Sequence, residues 1–138
     1  MDQERMKELI ERHIQAEAAG DSSGAVSMYT EDVEHDVVGW PTGPVQGPAA
    51  AKDFYDQLIA MLRVERMEPT RELFADDFCV VEHDCTAVIN GDFMGIPGNG
   101  RRVSFRMIHV WEFKDDAMSR ENVWMDGGSI AAQLGAAA

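Results

Sequence analysis

Three of the four histidines lie in segments with β character: His35 in DVEHDVV, His83 in FCVVEHDCTAVI and His109 in RRVSFRMIHVWEF. Imidazole is the side chain whose unperturbed pKa lies closest to neutrality, so several rings sharing an apolar cavity make a proton-transfer or metal site. Strands of one curved sheet would bring the three rings together; unrelated strands would leave each hydrogen-bonded where it stands. The alternation around His83 favours an inward ring, because Val81, His83, Cys85, Ala87 and Ile89 share one face while Glu82, Asp84 and Thr86 share the other. A buried histidine needs a partner, since an unpaired buried polar group costs about 1–3 kcal/mol. His13, on the first amphipathic segment, is a candidate partner.

The elements that must position these rings are legible from periodicity. Met6, Ile10, Ile14 and Ala18 recur with a helical period, and Gly20 with Asp21 ends that helix. Ser22 or Ser23 caps a short second helix running to Tyr29. A strand from Val33 to Val38 follows, then the breaker-rich GWPTGPVQGP, a segment suited to a pocket rim that places Trp40 over a ligand. Pro48 opens a third helix whose stripe is Ala51, Phe54, Tyr55, Leu58, Ile59 and Leu62. Strands are expected at Arg71 to Phe74, Phe78 to Ile89, Val103 to Phe113 and Met118 to Met125, with the closing AAQLGAAA outside any element. The sum is an α+β fold: a strongly curved mixed or antiparallel sheet wrapped around three N-terminal helices, leaving a conical pocket of the cystatin-like α+β barrel kind.

Composition narrows the function. With 138 residues, a single domain over 1–138 is expected. Twenty-five acidic residues against 12 basic ones give a net charge of −13, which argues against nucleic acid and anionic membranes as partners. The charged N-terminal segment has neither the apolar core of a signal peptide nor the length of a membrane span, which points to a cytoplasmic protein. Cys79 and Cys85 fall in one predicted strand, a spacing that suits neither a compact zinc motif nor a disulfide.

The succession MYTEDVEHD, QGPAAAKDFYDQL and GIPGNGRRVSFRMIHVWEFKDD, ending in a strand with Trp124 and Asp126, resembles the SnoaL-like polyketide cyclases of the nuclear transport factor 2-like superfamily, which also holds ketosteroid isomerases and limonene epoxide hydrolases. The resemblance covers nearly the whole chain and is specific for fold, whereas chemistry varies freely on such a fold. It places His109 on the family's pocket histidine, and His83 and Cys85 on polar positions of the epoxide hydrolases. It places the cyclases' catalytic aspartate on Val123, which cannot move a proton. Two registers remain open in YTEDVEHDVV: one turns His35 inward with Val37, the other turns Asp36 inward, because a one-residue slip reverses every side chain of a strand.

The leading expectation is therefore a cofactor-independent acid–base enzyme for a small, largely apolar molecule, working by isomerisation, cyclisation, dehydration or addition of water. His109 is cast as acid or oxyanion donor, His83 or Asp36 as base, and His35 as the group that orients substrate or water. His13, Tyr29, Trp40, Tyr55, Cys85, Met107, Trp111 and Val123 are expected to line the pocket. Two alternatives stand beside it: a non-catalytic binder or accessory subunit that dimerises through an outer sheet face bearing Ile108 and Val110, and a histidine-coordinated metal site.

Overall fold

The computed structural model describes residues 1–135. Helix α1 (Gln3–Ala18) starts where the Asp2 carboxylate accepts a hydrogen bond from the Arg5 backbone N–H at 2.8 Å. It buries Met6, Leu9, Ile10 and His13 along one stripe. The short α2 (Ser22–Val26) is capped by Asp21, whose Oδ1 accepts from Gly24, and not by the expected serines; it stops well before Tyr29. Tyr29 instead opens β1 (Tyr29–Val37), four residues earlier than Val33 would suggest.

After the Gly/Pro loop and β2 (Val45–Gln46), α3 (Pro48–Met61) runs across the sheet with Pro48 in its first turn and Ala51, Phe54, Tyr55 and Leu58 buried. The helix stops at Met61, and Leu62 begins a long strand, β3 (Leu62–Phe74), in place of the expected short one. Pro69 is accommodated there because β3 is an edge strand whose register with its neighbour shifts between Pro69 and Arg71. Its exposed charges, among them Arg63, Arg66, Glu68 and Glu72, guard that edge.

The remaining strands are β4 (Phe78–Ile89), β5 (Asp92–Phe93), β6 (Ile96–Pro97), β7 (Arg101–Lys114) and β8 (Ala117–Met125). Six of the strands form one curved sheet in the order β2-β1-β8-β7-β4-β3, antiparallel except for β1 beside β8. The sheet has two edges and does not close into a barrel. Helices α1 and α3 pack in its concavity, and the apolar core lies between them and the inner faces of β4 and β7. The outer face leaves Ile108 and Trp124 exposed.

The C-terminal residues expected to lie outside any element instead form α4 (Gly127–Gly135), as far as they are described; residues 136–138 lie outside the described part. Asp126 caps this helix by accepting from the Ser129 N–H at 3.0 Å, and Gln133 fastens it to β7 through paired bonds with the Ser104 backbone at 2.7 and 2.9 Å. Among the described residues no helix is long and apolar enough to cross a membrane.

The β5–β6 hairpin folds back closely on the end of β4. A Cβ at Gly98 would collide with Ile89 and with the Gly91 carbonyl oxygen, both fixed parts of the frame. Gly98→Ala is expected to destabilise the fold by about 1–3 kcal/mol through overpacking, read as a lower urea midpoint.

Candidate functional site

The centre of the site is a carboxylate that sequence reasoning missed. Glu121 on β8 is 1% exposed and sits inside the concavity, ringed by donors from four other elements. Its Oε1 accepts from Trp111 Nε1 at 2.8 Å and from Tyr29 Oη at 2.9 Å; its Oε2 accepts from Tyr55 Oη at 2.9 Å. His13 Nε2 lies 3.1 Å from Oε1, while His35 and His109 stand 3.8 and 4.0 Å from Oε2. Tyr55 is the hub of a second layer, with its oxygen 3.0 Å from His35 Nε2 and 3.1 Å from both His13 Nε2 and Tyr29 Oη.

Proton positions follow from the acceptors. The Ala25 carbonyl, 2.8 Å from His13 Nδ1, can only accept, so Nδ1 carries a hydrogen. Nε2 faces a carboxylate and must carry one too, which makes His13 an imidazolium. Burial by itself favours the neutral ring, but the charge and hydrogen bond of Glu121 overcome it and raise the His13 pKa to about 9. Burial likewise pushes the Glu121 pKa up, yet the charge and hydrogen bond of His13, with His35 and His109 beside it, hold it well below the usual carboxylate range. Burial and the Glu121 charge keep Tyr29 and Tyr55 protonated far above their ordinary value.

A second pair of rings behaves in the opposite sense. His83 Nδ1 and His109 Nδ1 face each other at 3.2 Å, the rings perpendicular, and His109 stacks flat on Trp111 with centroids 4.4 Å apart. Burial, without an adjacent counter-charge, lowers the His83 pKa to about 4; for His109 it outweighs Glu121 and gives about 3. Two neutral imidazoles facing through like nitrogens share one proton, one ring donating and the other accepting. Among the described residues nothing bonds His83 Nε2.

Beside this pair lies a cavity of about 470 Å³ between α1 and the concave face, walled by Ile10, Ile14, Met67, Val81 and His83, with the exposed Lys7, Glu11, Gln15 and Glu72 also lining it. A separate pocket of about 290 Å³ is lined by Val37, Trp40, Phe93 and Met125. There Trp40 packs edge-on against Phe54, which in turn lies 4.8 Å from the His35 ring. A groove of about 610 Å³ is lined by Glu82, His83, Ile108 and Trp124 among others.

The sequence-derived residues thus divide. His13, Tyr29, His35, Tyr55, His83, His109 and Trp111 converge on one buried network; Met107, Cys85 and Val123 lie on the same inner face, and Trp40 lines the separate pocket. Asp36 does not join them. The register Glu121↔His35 turns His35 inward and leaves Asp36 facing out, where it accepts from Asn122 Nδ2 at 3.1 Å. Cys79 and Cys85 are free thiols whose pKa burial pushes up to about 12. Among the described residues no three His, Cys, Asp or Glu side chains are grouped so as to hold a metal ion.

The sequence profile of the SnoaL-like domain matches residues 10–121. No curated protein matches the chain significantly. Among solved structures, TsrD from Streptomyces laurentii superposes with a TM-score of 0.83 at 20% identity, over 99% of this chain and 98% of that one. A candidate SnoaL-like polyketide cyclase from Jannaschia sp. CCS1 gives 0.80 at 19% identity, over 96% and 92%. A protein of ketosteroid isomerase-like fold from Catenulispora acidiphila, solved with trimethylamine, gives 0.77 at 15% identity, over 93% and 92%. Likeness at these identities is one of fold.

The opposed shifts set a pH profile. His13 has a folded pKa above its unfolded value of 6.5, so the stability it contributes is complete below about 6.5 and is lost as pH rises through 9. His83 and His109 have folded values below theirs, so their contribution is complete above about 6.5 and is lost as pH falls towards 4 and 3. Glu17, raised from 4.5 to about 7 by burial, offsets part of the acid limb. The thermal midpoint is expected to peak near pH 6.5 and to decline on both sides. Glu121→Gln, which leaves His13 without its counter-charge, is expected to cost about 3–5 kcal/mol at neutral pH and to flatten the alkaline limb; a midpoint unchanged between pH 6.5 and 9 in the parent protein contradicts the ion pair.

Proposed function

The chain belongs to the family of SnoaL-like domains, and on that premise we propose that it is a cofactor-independent acid–base enzyme acting on a small, largely apolar molecule. The observation that carries this reading is the His83–His109 contact at 3.2 Å, with His83 on the wall of a cavity whose apolar residues include Ile10, Ile14, Met67, Phe74 and Val81. In the proposed cycle His83 Nε2, the nitrogen left free, accepts a proton from the substrate. The Nδ1 proton of His83 is then shared with His109 Nδ1, which spreads the positive charge toward Glu121, 4.0 Å from the His109 ring. Reversal of these transfers returns the proton to a different substrate atom, and neither ring is consumed.

The depressed pKa values select the substrate. Both rings are unprotonated at neutral pH and are ready to accept, but they are weak bases, so the proton they take must already be acidic. A C–H flanked by carbonyl groups fits, and the apolar part of the cavity wall suits the rest of such a molecule. Isomerisation, ring closure onto a carbonyl and elimination of water all begin with that abstraction. Small carbonyl compounds are thus the favoured class.

A second reading, a non-catalytic binder, is favoured by Val123, which lies directly across from His109 in the β7–β8 register where a carboxylate would have completed a catalytic pair. Incubating the protein in D₂O with a panel of apolar 1,3-dicarbonyl compounds separates the two readings by ¹H NMR. Enzyme-dependent loss of the acidic C–H signal is expected, with His83→Asn and His109→Asn each lowering the rate by about 10²-fold or more while the thermal midpoint stays measurable. Compounds that bind without any exchange above the buffer rate would establish the binder.

A further inference from the structure

One buried acid has no part in the cycle just described. Glu17 ends the inner stripe of α1, one turn after His13, with its side chain 14% exposed and its Oε2 3.8 Å from His13 Nε2. A carboxylate is a poor choice there on structural grounds. It stands in the last turn of a helix, where the carbonyl ends carry partial negative charge, and that turn holds no basic residue. It also faces the charge of Glu121 across the His13 ring. Glu17 forms a wall of a separate pocket of about 270 Å³, with Gly20, Leu58, Ile59, Leu62 and Asn90, beyond the C-terminal end of α1 and sharing no lining residue with the His83 cavity.

We propose that Glu17 and His13 form a proton relay that connects bulk water to the buried Glu121 network by a route separate from the substrate cavity. The contacts run in sequence: Glu17 Oε2 to His13 Nε2 at 3.8 Å, His13 Nε2 to Glu121 Oε1 at 3.1 Å, and Glu121 Oε2 to His109 Nε2 at 4.0 Å. The first and last are about 1 Å longer than an N–H···O bond of about 3.0 Å; rotation of the Glu17 side chain closes the first, and across the last Glu121 acts on His109 through its charge. Because Nδ1 of His13 is committed to the Ala25 carbonyl, only Nε2 exchanges. In one passage the Nε2 proton moves to Glu121, leaving a neutral ring with a lone pair at Nε2. The carboxylic acid of Glu17 then delivers its proton to that nitrogen, and the resulting carboxylate takes another from water in its pocket. One proton enters from solvent for each one passed inward, and no other bond changes. Burial, which raises the Glu17 pKa to about 7, keeps both its forms populated at neutral pH.

The purpose of the relay rests on the function proposed above. A ligand seated against His83 covers that cavity, and the relay lets the network around Glu121 exchange its protons with water while the cavity is occupied. The relay itself is tested without any substrate. In protein labelled with ¹⁵N-histidine, exchange of the His13 Nε2 proton with water is expected to be at least tenfold faster than that of its Nδ1 proton. Glu17→Gln, which keeps the shape but cannot carry a proton, is expected to slow Nε2 exchange at least tenfold and leave Nδ1 exchange unchanged. Glu17→Asp is expected to restore part of the rate. The Gln variant is also expected to show a higher thermal midpoint at pH 8 than the parent, because the ionised Glu17 it replaces is destabilised by burial. Equal Nε2 exchange in parent and Gln variant, or an Nε2 signal broadened beyond detection in both, overturns the relay. Deuterium exchange on dicarbonyl compounds is a separate readout: if it is absent while Nε2 exchange depends on Glu17, the catalytic reading fails and the relay stands.

Discussion

A single negative charge in the interior is the constraint to which the rest of the structure answers. A carboxylate removed from water without compensation is prohibitively costly, so a buried one persists only where the protein replaces its hydration shell. Glu121 receives that replacement from Trp111 on β7, Tyr29 on β1, Tyr55 on α3 and His13 on α1. Each donor belongs to a different element, so the carboxylate fixes how both helices sit in the concavity as well as how the strands line up. Breaking any one of these contacts strands polar groups in a low-dielectric interior, where an unpaired donor or acceptor costs about 1–3 kcal/mol. Apolar burial folds the chain; the Glu121 network specifies one arrangement of the folded parts.

The same charge sorts the four histidines into two chemical classes. His13 touches Glu121 and is held as a cation, whereas His83 and His109 are near enough to one another, and far enough from the carboxylate, that burial keeps them neutral. A distance of about 1 Å, between 3.1 Å for His13 and 4.0 Å for His109, separates the two outcomes. Groups with pKa values driven apart in one cavity are what acid–base chemistry requires, since one member must begin protonated and the other free. His35 lies between the classes, its burial lowering the pKa and Glu121 partly restoring it.

Much of this was legible in the sequence. The alternation in FCVVEHDCTAVI and RRVSFRMIHVWEF turned His83 and His109 inward, and the α3 stripe carried Tyr55 with it. Glu121 was hidden by a bulge. The β7–β8 register shifts between Glu112 and Phe113, so Met118 and Glu121 both face the core although they are three residues apart. Strict alternation from Met118 puts Arg120 inside and Glu121 outside. The inward pair Glu121 and Val123 shows only when the alternation is counted back from the far end of the strand. The ambiguity at His35 and Asp36 has the same origin, since the β1–β8 register shifts between Tyr29 and Glu34. The terminal helix was obscured for another reason: Gly127, Gly128 and a run of alanines carry little periodicity, and the Asp126 cap and Gln133 clasp that hold it depend on contacts with distant backbone.

The register of β8 also bears on the missing aspartate. Resemblance to the cyclases places their catalytic carboxylate on Val123, directly across from His109. Here the acid stands two residues earlier on the same face, about 7 Å along the strand, paired across from Trp111 and enclosed by donors. A carboxylate at the nearer position would touch substrate and exchange protons with it directly. At the farther one its donors hold it ionised in the resting protein, and the rings of His13, His35 and His109 surround it. The displacement replaces an accessible acid with an enclosed charge that sets the protonation of the histidines around it. That arrangement accounts for a chain in which one carboxylate is locked in the core, four imidazoles are buried around it, and a valine occupies the place where a proton acceptor would otherwise stand.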